Sequence, residues 1–432
     1  MTTFRTACAI LLGKMSASKT INLAESMKAQ LPADIIDFIR KTGDAAEKLQ
    51  QRLYLVGGVV RDLLLERRNT DLDMVVEGDA IRLAEKIAAL NKAKVTSHPR
   101  FGTANLKWAN RSADFVSARA ETYARPGALP TVRAGTIRND LARRDFTVNA
   151  MAIELNPHRY GELIDPFGGR QDLGKKLVRV LHDKSFADDA TRIWRAIRYE
   201  QRLGLKIEPM TLLLINRDIA FLITISGDRI RRELELVLKE EMPEKALRRA
   251  DELGVLAKLC PSLKSDDWLA ETFATAREQS IEPKLQLYLA LLCYRLKAKE
   301  IEQLIEYLRL TKATARVLRD TLAIKDKTKE LATPGLSPSV IYKILHGYNL
   351  TAYTANSIGA GSETAAEHIE LYLNVLRHVN PTLSGEDLVK LGVPRGPKIK
   401  EVSQKLREAR LDGKINSKKG EEEMVRGWGE RR

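Results

Sequence analysis

Short aliphatic and β-branched runs alternate with helical spacing between residues 53 and 165. The runs LYLV (53–56), DLDMVV (71–76), AKVTSH (93–98), TANLKWA (103–109), ADFVSA (113–118) and AMAIEL (150–155) have strand length, and helical patterns separate them. This alternation predicts a mixed sheet accompanied by helices, an α+β fold. From about residue 186 the strand signals stop and amphipathic helical patterns dominate, as in RIRRELELVLKE (229–240) and IEQLIEYLRL (301–310). The rest of the chain is therefore expected to be all α. Turn residues at Pro130, Pro166, Gly168-Gly169 and Pro381 punctuate the pattern, with no fixed-period repeat. The expected organisation is a poorly structured extension over 1–30, a head over 31–177, a helical neck over 178–250, and a helical body and tail over 251–432.

A chain of 432 residues exceeds one ordinary core, so two or three domains are expected. The formal charge of +15 suits a polyanionic partner, because lysines and arginines that neutralise phosphates release condensed counterions. Cys8, Cys260 and Cys293 are widely spaced, with no CxxC pair and no companion histidines, which suits a reducing compartment. No apolar run approaches the roughly 18 residues that span a bilayer, and the run from Ala7 to Leu12 is shorter than a signal peptide's apolar segment. A cytoplasmic location without membrane contact is expected.

The candidate chemistry lies in DLDMVV. Alternate side chains of a strand share a face, so Asp71, Asp73 and Val75 point one way and Leu72, Met74 and Val76 the other. Two adjacent carboxylates repel each other unless a cation bridges them, and Mg²⁺ is often held by one or two carboxylates plus substrate phosphates. In phosphoryl transfer such ions activate the attacking hydroxyl and stabilise the leaving oxygen. An isolated DxD more often merely decorates a strand end. Here Gly57-Gly58 stands between the strand LYLV and the helical VVRDLLLE, where bare backbone can approach a triphosphate. Arg61, one turn into that helix, adds a forked cation suited to phosphate. Asp114, on a later strand, is a candidate third carboxylate; a surface aspartate is the alternative.

The string LVGGVVRDLLLERRNTDLDMVV (55–76) resembles the first signature of the class II tRNA nucleotidyltransferases. That family comprises bacterial and eukaryotic CCA-adding enzymes and related bacterial poly(A) polymerases, within the polymerase-beta superfamily. RRDFTVNAMA (143–152), LIDPFGGRQDL (163–173), DDATRIWRAIR (188–198) and GDRIRRELELVL (227–238) resemble its later signatures in the same order. TLSGEDLVKLGVPRGPKIKEVSQKLREARLDG (382–413) resembles its C-terminal helical segment, so the resemblance runs from about 50 to 428.

In DDATRIWRAIRYEQRLG, helical spacing sets Arg192, Arg195 and Arg198 on one arc and Ile193, Trp194 and Ile197 on the opposite side. Asp189 and Arg192 offer an acceptor beside a donor fork. Cytosine and adenine present the matching donor and acceptor, whereas uracil and guanine present the reverse and would leave the pair unsatisfied. The resemblance implies that Asp189 and Arg192 act as an amino-acid template, that Arg195 and Arg198 support the nucleotide and its phosphates, and that Arg144 and Asp145 hold the ribose. It also implies that Gly57, Gly58 and Arg61 contact the triphosphate while Asp71 and Asp73 bind Mg²⁺ and are catalytic. One departure is Asp188, where the family usually has Glu.

The implied activity is template-independent addition of the 3′-terminal CCA, or part of it, to tRNA from CTP and ATP. Full CCA addition is the leading expectation. CC-only addition, A-only addition and poly(A) synthesis stay open, because RAETYARPGALPTVRAGTIRNDLARRDF (119–146) resembles a form shared by CCA-adding and A-adding enzymes. A non-catalytic RNA-binding protein would require loss of the carboxylate pair, which is present. A small-molecule nucleotidyltransferase would need neither the arginine helix nor the long basic helical half. No HD-type phosphohydrolase signature is seen. Basic clusters at Arg229, Arg231, Arg232, at Arg248, Arg249, and at Lys398, Lys400, Lys405, Arg407, Arg410 are candidates to track the acceptor stem and elbow of tRNA by phosphate contacts. No stable protein partner is expected.

Overall fold

Alternation of apolar and polar residues builds the first unit around one mixed sheet. The computed structural model describes residues 21–91, 93–122, 131–279 and 285–429. Its strands are β1 (Arg52–Val56), β2 (Leu72–Glu77), β3 (Lys94–His98), β4 (Thr103–Trp108), β5 (Arg111–Ser117), β6 (Arg119–Thr122), β7 (Thr131–Ala134), β8 (Ala152–Glu154) and β9 (Leu163–Ile164). Seven form one sheet in the order β3-β4-β5-β2-β1-β8-β9, and β6 pairs with β7 apart from it. β2 and β5 run parallel, whereas β1 is antiparallel to both β2 and β8. Leu72, Met74 and Val76 are all buried, on the side covered by the helix Ala80–Asn91. Val75 packs on the other side with Tyr54, Val56, Ala150 and Ala152. The face that begins with Asp71 and Asp73 is thus polar at its two ends, with Glu77 at the far one, and apolar at Val75 between them.

The six expected runs all form strands, and the two helical patterns fall within Gly227–Leu238 and Ala298–Tyr307 or overhang them by a few residues. Residues 1–20 of the expected extension lie outside the described residues. The remainder of it is structured: Asn22 bridges Glu162, and the helix Ala24–Gln30 buries Met27 completely.

Contacts divide the chain into Met1–Ile225 and Ser226–Arg432, so residues 178–225 group with the head. The physical reason is a set of crossings over the expected break near 177. Leu177–Val178 pairs in parallel with Lys206–Ile207, a short strand that the sequence pattern did not signal, and Phe146 bridges Val180. Among the described residues the second unit is helical. It has one apolar cluster around Ile344, Tyr353 and Ile369, and another around Leu388, Val402 and Leu406. No described helix is long and apolar enough to cross a membrane.

Candidate active site in the head

Asp71 and Asp73 are exposed at the start of β2. The parallel ladder sets Asp114 of β5 opposite Asp73, on the same face of the sheet, and Asn105 of β4 donates to the Asp114 carboxylate at 2.7 Å. Loss of hydration pushes the Asp73 pKa above the usual carboxylate range; nearby Arg144 opposes this, and the charges of Asp114 and Asp71 add to it. Neither Asp71 nor Asp73 ion-pairs with a basic side chain within 4.0 Å among the described residues. The described residues contain no group of three His, Cys, Asp or Glu side chains able to hold an ion alone. Two open carboxylates nevertheless fit Mg²⁺, which takes hard oxygen donors and leaves further positions to water or phosphate.

Gly57 closes β1 and opens the helix Gly58–Leu64 with φ 78° and ψ −136°, a conformation essentially reserved for glycine. A Cβ there would stand 3.0 Å from Arg144 Nη1 and 3.4 Å from Asp73 Oδ2. Arg144 therefore reaches the glycine turn and the carboxylate edge together. Its Nη2 is held by buried Asp140 at 3.1 Å, and its Nε is buried without a partner. Arg61 sits differently from the expectation of an outward fork. Its guanidinium is only 4% exposed and donates through Nε and Nη2 to Asp62 and through Nη1 to Asn149. It supports the turn from beneath.

The arginine face of the helix Thr191–Leu203 is largely buried rather than solvated: Arg192 is 5% and Arg198 6% exposed. Arg192 donates to Ser185 Oγ at 2.7 Å and to the Arg143 carbonyl at 2.8 Å. Arg195 meets Asp145, whose other oxygen accepts from the Phe146 amide and from Asn149. Burial pushes the Asp145 pKa up, but Arg195, the Asn149 hydrogen bond and Arg192 outweigh it and hold the carboxyl below the usual range. The Tyr199 ring has Arg61, Arg195 and Arg198 at 5.4, 5.9 and 5.0 Å from its centroid. Asp189 accepts from the Thr191 amide and hydroxyl at 3.0 and 2.7 Å, which fixes its carboxylate at the helix entrance. Asp188 faces His182 at 3.8 Å; burial raises the acid's pKa and lowers the imidazole's.

These residues form one connected head site, and similarity to known proteins covers it. A family model described as the poly A polymerase head domain matches residues 53–179, and one described as a probable RNA and SrmB-binding site of polymerase A matches 204–267. An A-adding tRNA nucleotidyltransferase of Halalkalibacterium halodurans is 36% identical over 386 residues, spanning 88% of this chain and 89% of that protein. The chain belongs to the tRNA nucleotidyltransferase and poly(A) polymerase family. A Geobacter sulfurreducens member, also an A-adding enzyme, is 34% identical across 91% of the chain, which spans about half (47%) of that relative's length. The solved Thermotoga maritima CCA-adding enzyme complexed with tRNA_CCA superposes with a TM-score of 0.77 at 29% identity, covering 95% of this chain and 99% of that one.

Reading the family motifs alone missed Asn105, Asp140, Asn149 and Tyr199, which hold the named side chains. Asn149 and Tyr199 do lie inside the quoted motif stretches, four residues after Asp145 and one after Arg198. The basic clusters of the helical half turn out to be mostly spent on neighbours. Arg231 pairs with Asp228 and Glu235, Arg248 with Asp267, Arg249 with Glu252, and Lys398 and Lys405 both with Glu401. The segment 119–146, whose form is shared by CCA-adding and A-adding enzymes, falls partly on 123–130, outside the described residues.

Proposed function

We propose that the chain is a cytoplasmic tRNA nucleotidyltransferase that transfers CMP and AMP from CTP and ATP to the tRNA 3′ end. The observation that carries this reading is the junction of the RRDF turn with the arginine helix. Arg192 is bound to the Arg143 carbonyl and Arg195 to Asp145, so the arginine helix is tied into the unit that bears the paired carboxylates, which supports a base-selecting role for Arg192 with Asp189.

In this reading the tRNA 3′-hydroxyl attacks the α-phosphate and pyrophosphate leaves. Mg²⁺ ions, when bound, lower the pKa of the attacking hydroxyl and neutralise charge on the leaving group. Asp71 and Asp73 would hold them, with Asp114 as a third carboxylate steadied by Asn105. Gly57 and Gly58 leave room for the triphosphate, and Arg144 draws it toward the carboxylate edge and contacts the sugar. Asp145, already saturated by protein donors, acts through Arg195 rather than directly on ribose. Arg61 and Arg198, gathered on Tyr199, supply positive potential from behind. Asp189 and Arg192 accept cytosine or adenine and leave uracil and guanine unsatisfied.

Complete CCA addition is the leading reading. Addition of the terminal A alone is the second, favoured by 36% identity to an A-adding relative against 29% to the solved CCA-adding enzyme. The test is pyrophosphate release on mixing the protein with Mg²⁺, tRNA transcripts lacking CCA or ending in CC, and both nucleotides. Release that vanishes in Asp73→Asn is expected; no release from the wild type overturns the proposal.

A further inference from the structure

We propose that the tail carries a site for one nucleotide of RNA backbone, between the helices Pro338–Leu345 and Pro397–Leu411. The inference rests on tRNA being the partner and adds where the tail holds it. A cavity of about 450 Å³ opens between these helices, within the roughly 300–1,000 Å³ of small-ligand sites. Its cations are Lys343, Lys400 and Arg407, with His346 beside them.

The second helix was expected to carry five RNA-facing cations, and the structure leaves one open. Lys398 and Lys405 pair with Glu401 at 2.8 and 3.1 Å, and Arg410 is bound to buried Glu421. Arg407 spends two nitrogens on Tyr342 Oη and Asn380 Oδ1, at 2.9 and 3.0 Å. Lys400 is exposed and forms no ion pair within 4.0 Å among the described residues, and the same holds for Lys343 on the facing helix. Two unneutralised ammonium groups therefore share one cavity. The carboxylate lining it, Glu408, already accepts from Gln404 at 3.1 Å.

The aromatic part of the lining completes the chemistry. His346 stacks on Tyr342 with centroids 4.7 Å apart and planes 17° from parallel, and the Arg407 guanidinium lies 5.3 Å from the Tyr342 centroid. Tyr342 is thus held rigid, and exposed His346 presents a ring at the cavity. Cations beside a ring suit a phosphate and a neighbouring unstacked base. The Ser403 hydroxyl adds a partner for a sugar or phosphate oxygen. None of the described lining side chains is buried, so none forms a desolvated donor–acceptor pair that reads a base edge, and the site grips without sequence preference.

The test measures binding of a full-length tRNA transcript to the full chain by fluorescence anisotropy across a salt series. Lys343→Gln with Lys400→Gln should raise Kd about tenfold and reduce the salt slope by about one to two, as expected on losing two phosphate contacts. His346→Ala should raise Kd with the slope unchanged. A control pair, Lys398→Gln with Lys405→Gln, should change Kd less than about twofold, because neither lysine lines the cavity and both are held by Glu401. All the substituted residues are surface groups, and circular dichroism checks their folding. An unchanged Kd and slope in the double variant overturns the proposal. So does loss of ATP binding in place of tRNA binding, which would mark a free-nucleotide pocket. A wild-type chain that binds no tRNA would instead sink the functional reading on which this site rests.

Discussion

Arg195 meets one oxygen of Asp145 through two nitrogens, Nε at 2.8 Å and Nη2 at 2.6 Å, and so ties the arginine helix to a turn fifty residues earlier. Truncating a partner of a buried pair leaves an uncompensated charge, at about 3–5 kcal/mol when both are fully buried. The Arg195 side chain keeps 34% of its exposure, so Asp145→Ala should cost less, about 2 kcal/mol. Urea denaturation measures that loss. Steady-state kinetics should show KM rising for CTP and ATP alike, since the support lost is common to both.

The same pair sets a pH dependence. The folded-state pKa of Asp145 lies below the ordinary value of 3.8, so its stabilisation is fully present above that value and is lost as pH falls through the folded pKa. Asp145→Asn should therefore be less stable than the wild type at neutral pH, and the gap should narrow in acid. Paired urea midpoints at about pH 7 and pH 3 check the sign.

Gly57→Ala brings two costs together. A side chain at φ 78° and ψ −136° should destabilise the head by about 1–3 kcal/mol. Its Cβ, 3.0 Å from Arg144 Nη1, should also displace that guanidinium from the carboxylate edge. Activity should fall at least about a hundredfold, as expected when a positioning group is misplaced by about 1 Å. Thermal unfolding and kcat/KM separate the two effects.

Much of the head was legible because each strand writes its own alternation. The runs around Leu53, Met74, Leu106 and Phe115 are all strands in the structure. β6 and β7 were not legible: no position of β7 is buried, so no apolar period marks it. Lys206–Ile207 has two residues, too few for a period. At the candidate site, residue types and spacing singled out Asp71, Asp73, Gly57 and the arginine row. A helical wheel says which side chains share a face, but not what covers that face. The burial of Arg192 and Arg198, the Asp62 partner beneath Arg61, and the Tyr199 ring among three guanidinium groups are tertiary facts. The break expected near 177 coincides with the end of the head-domain match at 179, yet contacts between segments distant in sequence carry the compact unit on to Ile225.

Base selection gives a separate prediction. Thr191 fixes the Asp189 carboxylate and Ser185 the Arg192 guanidinium, so the pair is held before any base arrives. Asp189→Ala should raise UTP or GTP incorporation relative to CTP and ATP by about tenfold or more, because one good hydrogen-bonded pair discriminates by about 1–3 kcal/mol. Competition between labelled nucleotides measures the ratio. Unchanged selectivity in an active variant would remove Asp189 from the role.

The most direct test of the central claim supplies each of the four nucleotides singly, and CTP with ATP together, to the purified chain with Mg²⁺. The acceptors are tRNA transcripts ending before CCA, after CC, and after the complete CCA. The account expects CTP to extend the first transcript, ATP to extend the second by one residue, and UTP and GTP to extend none. Extension of the second transcript alone would identify an A-adding enzyme. Failure to extend any transcript, or extension with UTP as readily as with CTP, would contradict the account.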